Sequence, residues 1–186
     1  SWDLKPASAG KKSVLDLSRT SGLEFKIFAA DRSSVSNFSL YLRSGAGWYS
    51  YRFAPKSKTG WSTIHVLKED TKLEGRPEGW SRIDLIRLSA WRGENRNAEF
   101  FVADFGFSKH ESDVFVVRGE SAIETNPTEA NSISQYSKSM ADMLRHIGVN
   151  YSLISDRDLN PTWPGKDQVV ILPHNPGMSP TTTTNL

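Results

Sequence analysis

The segment SNFSLYLRSGAGWYSYRF, residues 36–53, decides the fold of this chain. Apolar and polar side chains alternate over residues 37–43, which is the two-residue period of a β-strand with one buried and one exposed face. A Gly-Ala-Gly turn follows at residues 45–47, and residues 48–53 then return as a second strand. The segment therefore predicts a β-hairpin.

Similar short strands are expected on both sides of this hairpin. Apolar runs are separated by clusters of Gly, Ser, Pro and Asp, which is typical of an antiparallel β-sandwich or barrel. The predicted strands cover residues 23–29, 60–67, 86–91 and 99–107. We therefore expect a mainly β fold with an antiparallel β-sandwich in its first part.

Composition divides the 186 residues in two. Residues 1–112 carry a net charge of +5 and 16 of the 20 aromatic residues, whereas residues 113–186 carry a net charge of −3. This shift predicts a β-sandwich domain over residues 1–110 and a second domain over residues 113–186.

The chain has no cysteine, which excludes a disulfide framework, a thiolate nucleophile and a cysteine-ligated metal site. The overall charge of +2 argues against a nucleic-acid partner, and no apolar run is long enough to span a membrane.

The second domain is expected to be an α/β unit. Apolar runs at residues 113–117, 151–154 and 168–172 predict strands of a short parallel sheet. Between the first two runs, Asn126 suits a helix N-cap and Gly148 suits the position just after a helix end. The apolar face of this predicted helix consists of residues spaced three or four apart: Ile133, Tyr136, Met140, Leu144 and Ile147.

A further helix start is predicted at Ser179 and Pro180, only a few residues before Leu186. A crossover helix needs more residues than that, and a doubly wound fold needs further strands to complete its site. We therefore expect a truncated α/β domain that belongs to a longer multidomain chain.

The first domain resembles the jelly-roll, galactose-binding-like carbohydrate-binding modules of polysaccharide-degrading enzymes. The resemblance rests on residues 36–53 together with GWSTIHV, EGWSRIDLIRLSAWRG and EFFVADFGF, which begin at Gly60, Glu78 and Glu99. Residues 113–186 resemble the opening of class I glutamine-amidotransferase-like domains that accompany bacterial glycoside hydrolases. That family uses a catalytic cysteine, so no amidotransferase activity is expected here.

The residues opposite the apolar strand faces form the candidate ligand-binding set. A sugar ring presents C–H groups to an aromatic face, while planar polar groups bond its hydroxyls. Phe53 favours its own strand face as the core, which places Trp48 outside, although one strand alone does not decide this. The candidate residues are Tyr41, Arg43, Trp48, Arg87 and Trp91. Trp61 and Trp80 are interpreted instead as structural rings that close the sandwich.

A structural calcium is a further expectation. Asp104 stands within the apolar run 100–107, where a carboxylate needs a partner such as an arginine, backbone N–H groups or a metal. Related jelly-roll modules often hold calcium between an early acidic residue and the Asp of the last strand. The resemblance implies that these two residues are Asp16 and Asp104 in this chain. Backbone carbonyls would complete the shell.

The sequence thus predicts a non-catalytic, polysaccharide- or oligosaccharide-binding module of a larger secreted or periplasmic glycan-degrading protein. The positive charge of the first part favours an anionic or mixed glycan. One alternative is a structural module that braces a catalytic domain, and another is a jelly-roll polysaccharide lyase or hydrolase. A hydrolase needs two facing carboxylates, and we assign the nearby acidic residues at 69, 70, 74 and 78 to a solvated loop.

Overall fold

The structure of the chain is a computed structural model that describes residues 1–5, 14–31, 33–55, 59–109, 112–178 and 180–184. In chain order its elements are β1 (Trp2–Leu4), β2 (Thr20–Ala29), β3 (Val35–Phe53), β4 (Gly60–Leu67), β5 (Lys72–Pro77), β6 (Ile83–Arg92), β7 (Phe100–Lys109), β8 (Val114–Arg118), α1 (Ala130–His146), β9 (Ser152–Ser155), β10 (Val169–Ile171) and α2 (Pro180–Thr184). None of the described helices has the length and apolar composition that crossing a membrane requires.

The first part of the chain forms two antiparallel sheets. One has the strand order β1-β6-β3-β5 and the other has the order β4-β2-β7. Inward-facing side chains of both sheets belong to a single buried cluster, among them Phe25 and Ile27 of β2 and Leu40 and Leu88 of the larger sheet. The mainly β, antiparallel character expected from the alternating sequence is confirmed.

The long strand β3 doubles back on itself at Gly45. Phe38 and Phe53 have ring centroids 5.5 Å apart, whereas fifteen residues of uninterrupted strand would separate them by roughly 50 Å. Arg52 Nε also reaches Asn37 Oδ1 at 2.7 Å. Gly45 supplies the positive φ of +57° that the turn requires. The predicted hairpin is therefore present, with its two arms side by side in the larger sheet.

The hairpin buries the strand face that carries Phe53, as expected from the sequence. Tyr49 and Phe53 are buried in the core between the sheets. Because side chains alternate along a strand, Trp48 and Arg52 point to the opposite, outer face of the sheet. The outer face of the larger sheet is therefore the one that carries the predicted ligand-binding aromatics.

The second part forms the expected strand–helix–strand–strand unit. Strands β10, β8 and β9 lie side by side in parallel, and α1 packs against them. Asn126 Oδ1 accepts hydrogen bonds from Thr128, so Asn126 caps the 3₁₀ turn Pro127–Glu129 that leads into α1. The helix α1 itself begins at Ala130, without a side-chain cap. Gly148 has the positive φ of +75° that suits the end of a helix.

The predicted apolar face of α1 is partly wrong. Ile133 and Leu144 are buried as expected, but Tyr136 and Ile147 are 54% and 61% exposed. The buried side of the helix runs instead through Ser137 and Ala141, whose small side chains allow close approach to the neighbouring elements. Tyr136 packs against His174 outside the core, with 5.0 Å between the rings.

Two strands were not expected from the sequence. The strand β1 lies at one edge of the larger sheet and pairs with β6, and β5 lies at the other edge and pairs with β3. The residues of β5 include Glu74, which the sequence analysis placed in a solvated loop. Glu74 is exposed there, whereas Glu69 of the same segment is buried, with only 6% of its surface exposed.

Buried contacts join the two parts of the chain. In the first part, Tyr49 of β3 stacks on Trp80 with 3.9 Å between ring centroids. Tyr49 Oη reaches the second part, where it donates a 2.6 Å hydrogen bond to Glu120 Oε2. The backbone N–H of Trp80 donates to Asp158 Oδ2 at 2.8 Å. The expected structural role of Trp80, which is 2% exposed, is confirmed. The second part therefore packs directly against the antiparallel sheets.

Candidate ligand-binding face

Strand register brings the predicted aromatic residues together on the larger sheet. Tyr41 of β3 lies directly opposite Arg87 of β6. Across the hairpin, Tyr41 and Trp48 meet edge to face, with 6.1 Å between centroids and 81° between planes. Together with Trp91 they border an open cleft of about 340 Å³ that we call the aromatic cleft, lined by Tyr41, Trp48, Glu74, Arg87, Ser89 and Trp91.

Trp91 is anchored at its edge. Its indole Nε1 donates a 2.9 Å hydrogen bond to Ser39 Oγ on the neighbouring strand. The residue is nevertheless 48% exposed, so the polar end of the ring is satisfied within the protein while apolar ring surface faces solvent. An exposed and oriented aromatic side chain of this kind is well suited to stack on a ligand.

Trp48 lies next to two guanidinium groups. Arg87 Cζ is 5.6 Å from the centroid of the Trp48 ring and Arg43 Cζ is 5.8 Å from it, both within cation–π range. Arg43 is held there by Asp84, to which it donates from Nε at 2.6 Å and from Nη2 at 3.2 Å. Arg43 is therefore a neighbour of Trp48 but does not line the aromatic cleft, unlike the other four predicted residues.

Arg87 is paired with an acidic residue of β1. It donates from Nε to Asp3 Oδ1 at 2.7 Å and from Nη2 to Asp3 Oδ2 at 2.9 Å. This hydrogen bonding lowers the pKa of Asp3 and raises the pKa of Arg87 from their ordinary values. Both groups therefore stay charged near neutral pH, and the bidentate geometry fixes the direction of the guanidinium.

Glu74 contributes a carboxylate that sequence analysis missed. It lies opposite Trp48 in the pairing of β3 with β5, on the exposed side of the sheet. The described part of the chain provides it with no ion-pair partner. The cleft thus combines three aromatic rings with a paired guanidinium, a carboxylate and the Ser89 hydroxyl.

The residues expected to bind calcium have other contacts in the structure. The side chain of Asp104 is 66% exposed and forms a 2.8 Å ion pair with Lys26, so its carboxylate is not buried as the sequence analysis assumed. Asp16 Oδ1 accepts hydrogen bonds from the backbone N–H and the hydroxyl of Ser18, at 2.9 and 2.6 Å. Within the described ranges, no group of three or more His, Cys, Asp or Glu side chains is placed to hold a metal ion. Calcium binding stays a prediction.

A second cleft lies where the two parts of the chain meet. We call it the junction cleft, and it has a volume of about 350 Å³ with Glu69, Arg145 and Tyr151 in its lining. Arg145 Nη2 lies 2.7 Å from the Tyr151 hydroxyl, and that hydroxyl donates to Glu69 Oε1. Partial burial and the bond to Glu69 raise the pKa of Tyr151 well above its ordinary value. Tyr151 is therefore held in its protonated form.

Trp61 is not the buried, structural ring expected from the sequence. It is 53% exposed and stands on the outer face of the smaller sheet, packed against Phe28 with 5.4 Å between centroids. Phe28 is its direct cross-strand partner, so this contact is an aromatic pair that stabilises the sheet. Trp61 resembles Trp91 in exposure but lies on a different sheet, which makes it a matched reference for tests of the aromatic cleft.

Comparison of the chain with protein-family models, with curated proteins and with solved structures found no match. The function is therefore argued from the geometry and chemistry of these sites.

Proposed function

We propose that this chain contains a non-catalytic carbohydrate-binding module that binds a polysaccharide or oligosaccharide in the aromatic cleft. The observation that carries the proposal is the presence of Tyr41, Trp48 and Trp91 along one open cleft. In this proposal the two antiparallel sheets form a β-sandwich of the jelly-roll, galactose-binding-like kind. The module would belong to a larger secreted or periplasmic glycan-degrading protein.

The chemistry of the aromatic cleft supports a sugar ligand. Sugar rings have apolar C–H faces and a rim of hydroxyls, so they need flat aromatic surface and polar groups side by side. Trp91 and Tyr41 offer the aromatic surface, while Arg87 supplies donors and Glu74 supplies acceptors. All these groups project from paired strands, which hold a binding site more rigidly than loops do.

The shape of the aromatic cleft fits part of a chain better than an enclosed small molecule. Its volume of about 340 Å³ is at the lower end of the range for ligand pockets, which is roughly 300–1,000 Å³. The cleft is open to solvent, so a longer glycan can extend beyond it across the sheet.

A screen against neutral and acidic polysaccharides, with and without calcium, tests this proposal. We expect at least one glycan to retain the protein on an affinity gel. The double variant Tyr41→Ala/Trp91→Ala should lose retention while its circular dichroism spectrum stays unchanged, and Trp61→Ala should be retained like the parent. If no glycan retains the protein, the chain is a structural module and the proposal fails.

The junction cleft supports a second candidate, a polysaccharide lyase, because it places Tyr151 beside Arg145. The raised pKa of Tyr151 argues against this reaction, because a protonated hydroxyl cannot remove a proton from the sugar. Incubation with polyuronates, followed through the absorbance of the unsaturated product, distinguishes the two proposals. We expect no product from the parent chain, and product that disappears in Tyr151→Phe would establish the lyase.

A further inference from the structure

The charge of the aromatic cleft differs from that of the segment that contains it. Residues 1–112 carry a net charge of +5, which by itself favours an anionic ligand. Among the described residues, the charged groups that line the cleft are Arg87 and Glu74. Once the ion pair of Arg87 with Asp3 is counted, Glu74 is the uncompensated charge at the cleft, so its local balance is negative.

Arg87 keeps hydrogen-bonding capacity although its charge is compensated. A guanidinium has five N–H donors, and the ion pair uses Nε and Nη2, which donate to the two carboxylate oxygens of Asp3. Nη1 has no hydrogen-bond partner in the described ranges, so it can donate to a hydroxyl oxygen of a ligand. A carboxylate or sulfate ester would have to compete with Asp3 for the same charge.

Glu74 also disfavours an anionic ligand in the cleft. An ionised carboxylate accepts hydrogen bonds from hydroxyls and repels a second anion at short range. Its position opposite Trp48 places it at the end of the cleft that lies across the hairpin from Arg87. A sugar acid that stacks on the aromatic rings would therefore lie near a like charge.

Other cations on this face lie outside the cleft. Lys72 and Arg76 flank Glu74 in β5, and Arg52 is bonded to Asn37 on the outer face of the hairpin. All three are exposed, and none lines the cleft. Because they do not line the cleft, these residues affect the approach of an anion more than its direct contacts there, whereas Glu74 stands in the lining itself.

We infer that the aromatic cleft selects neutral glycans over uronic-acid-containing or sulfated glycans, an inference that rests on the proposed function. The features that set this preference are the ion pair of Arg87 with Asp3 and the carboxylate of Glu74, which has no ion-pair partner in the described part of the chain. The selectivity is the opposite of what the net charge of residues 1–112 favours.

Calorimetric titration with two groups of polysaccharides tests the inference. The neutral group is β-glucan, mannan, galactan and xylan, and the acidic group is polygalacturonate, alginate, hyaluronan and chondroitin sulfate. We expect the tightest neutral probe to bind at least about 10-fold more strongly than any acidic probe. Its affinity should change less than about 2-fold between 50 and 500 mM NaCl, because no net ion pair forms.

Variants at the two acidic positions test the cause of the selectivity. Asp3→Asn and Asp3→Ala release Arg87 and should strengthen the binding of acidic probes at least about 5-fold. Glu74→Gln should also strengthen the binding of acidic probes. Because it does not alter β1, it still tests the inference if the substitutions at Asp3 disturb that edge strand. Glu24→Gln, an exposed substitution on the smaller sheet, is the matched control and should change nothing.

The possible outcomes separate the inference from the proposal beneath it. Absence of binding to every probe overturns the proposed function. Binding in the aromatic cleft with acidic probes equal to or tighter than neutral ones overturns the inference and leaves the function standing. Unchanged binding of acidic probes by both Asp3→Ala and Glu74→Gln also overturns the inference, since these carboxylates would then not exclude anions.

Discussion

Tyr49 Oη donates a 2.6 Å hydrogen bond to Glu120 Oε2 in a fully buried contact between the two parts of the chain. The residue before it, Trp48, faces the aromatic cleft on the other side of the same sheet. The hairpin that carries the cleft is thus fixed from behind by the α/β part. Stability of the cleft and packing of the second part are therefore expected to be coupled.

Tyr49→Phe should destabilise the whole chain. The substitution keeps the stacking on Trp80 but removes one of the donors to a buried carboxylate, whose remaining partners are Arg118 and Ser155. A hydrogen bond to a charged group contributes about 1.5–3 kcal/mol. We expect Tm to fall by about 4–10 °C in a thermal melt. Tyr41→Phe, in the exposed cleft, is the control and should change the unfolding free energy by less than about 0.5 kcal/mol.

Lys68 should make stability rise with pH above neutrality. It is 1% exposed, and burial lowers its pKa from 10.5 to about 7. Between pH 7 and 10.5 the unfolded chain binds more protons at this position than the folded chain, so the unfolding free energy increases with pH. The slope is at most about 1.4 kcal/mol per pH unit.

Lys68→Met tests this dependence. Urea titrations at pH 7, 8 and 9 should show a smaller increase in unfolding free energy for the variant than for the parent. Lys26→Met, which removes an exposed lysine from the smaller sheet, should keep the increase. An identical pH profile for the parent and Lys68→Met would contradict this assignment.

Asp156 should make the unfolding free energy decrease as pH rises in the acid range, the opposite of the effect of Lys68. Burial is the main cause that raises its pKa from 3.8 to about 6, although Ser121 donates hydrogen bonds to it. Between pH 4 and 6 the folded chain binds more protons at this position than the unfolded chain, so this residue lowers stability as pH rises through that range. Asp156→Asn should remove that decrease from urea titrations, whereas Asp167→Asn should keep it.

Ser39→Ala should weaken glycan binding without unfolding the protein. The Ser39 hydroxyl is the acceptor that orients the Trp91 indole, so its loss frees the ring to rotate away from the stacking position. We expect Kd to rise about 3- to 10-fold, with little change in Tm. Ser62→Ala on the smaller sheet is the control. If Ser39→Ala binds glycan with the affinity of the parent, Ser39 does not orient Trp91 for binding.

Much of the candidate site could be predicted from alternation alone. Tyr41, Arg87 and Trp91 lie opposite apolar side chains in their strands, and the two-residue period places them on the outer face without knowledge of the sheet order. Trp48 needed the additional assumption that Phe53 is in the core. That these residues bind a ligand stays a prediction.

The acidic residues of the site, Asp3 and Glu74, could not be predicted in this way. The β5 sequence KLEGRP has no apolar alternation, because this edge strand is held mainly by backbone pairing with β3. Asp3 is 84 residues from its partner Arg87, and no local pattern records such a pairing. Lys68 and Glu120 are charged in sequence but buried in the fold, since Lys68 bonds to Ser18 and Glu120 bonds to Tyr49, both in distant segments.

The location of the ligand can be measured directly from the indole N–H signals of the six tryptophans. Single Trp→Phe variants assign the signals in ¹⁵N–¹H spectra, and the tightest-binding glycan of the screen is then titrated. If the aromatic cleft is the binding site, the signals of Trp48 and Trp91 shift with glycan concentration while those of Trp61 and Trp80 do not. Shifts of Trp61 with unchanged signals from Trp48 and Trp91 would contradict the central claim.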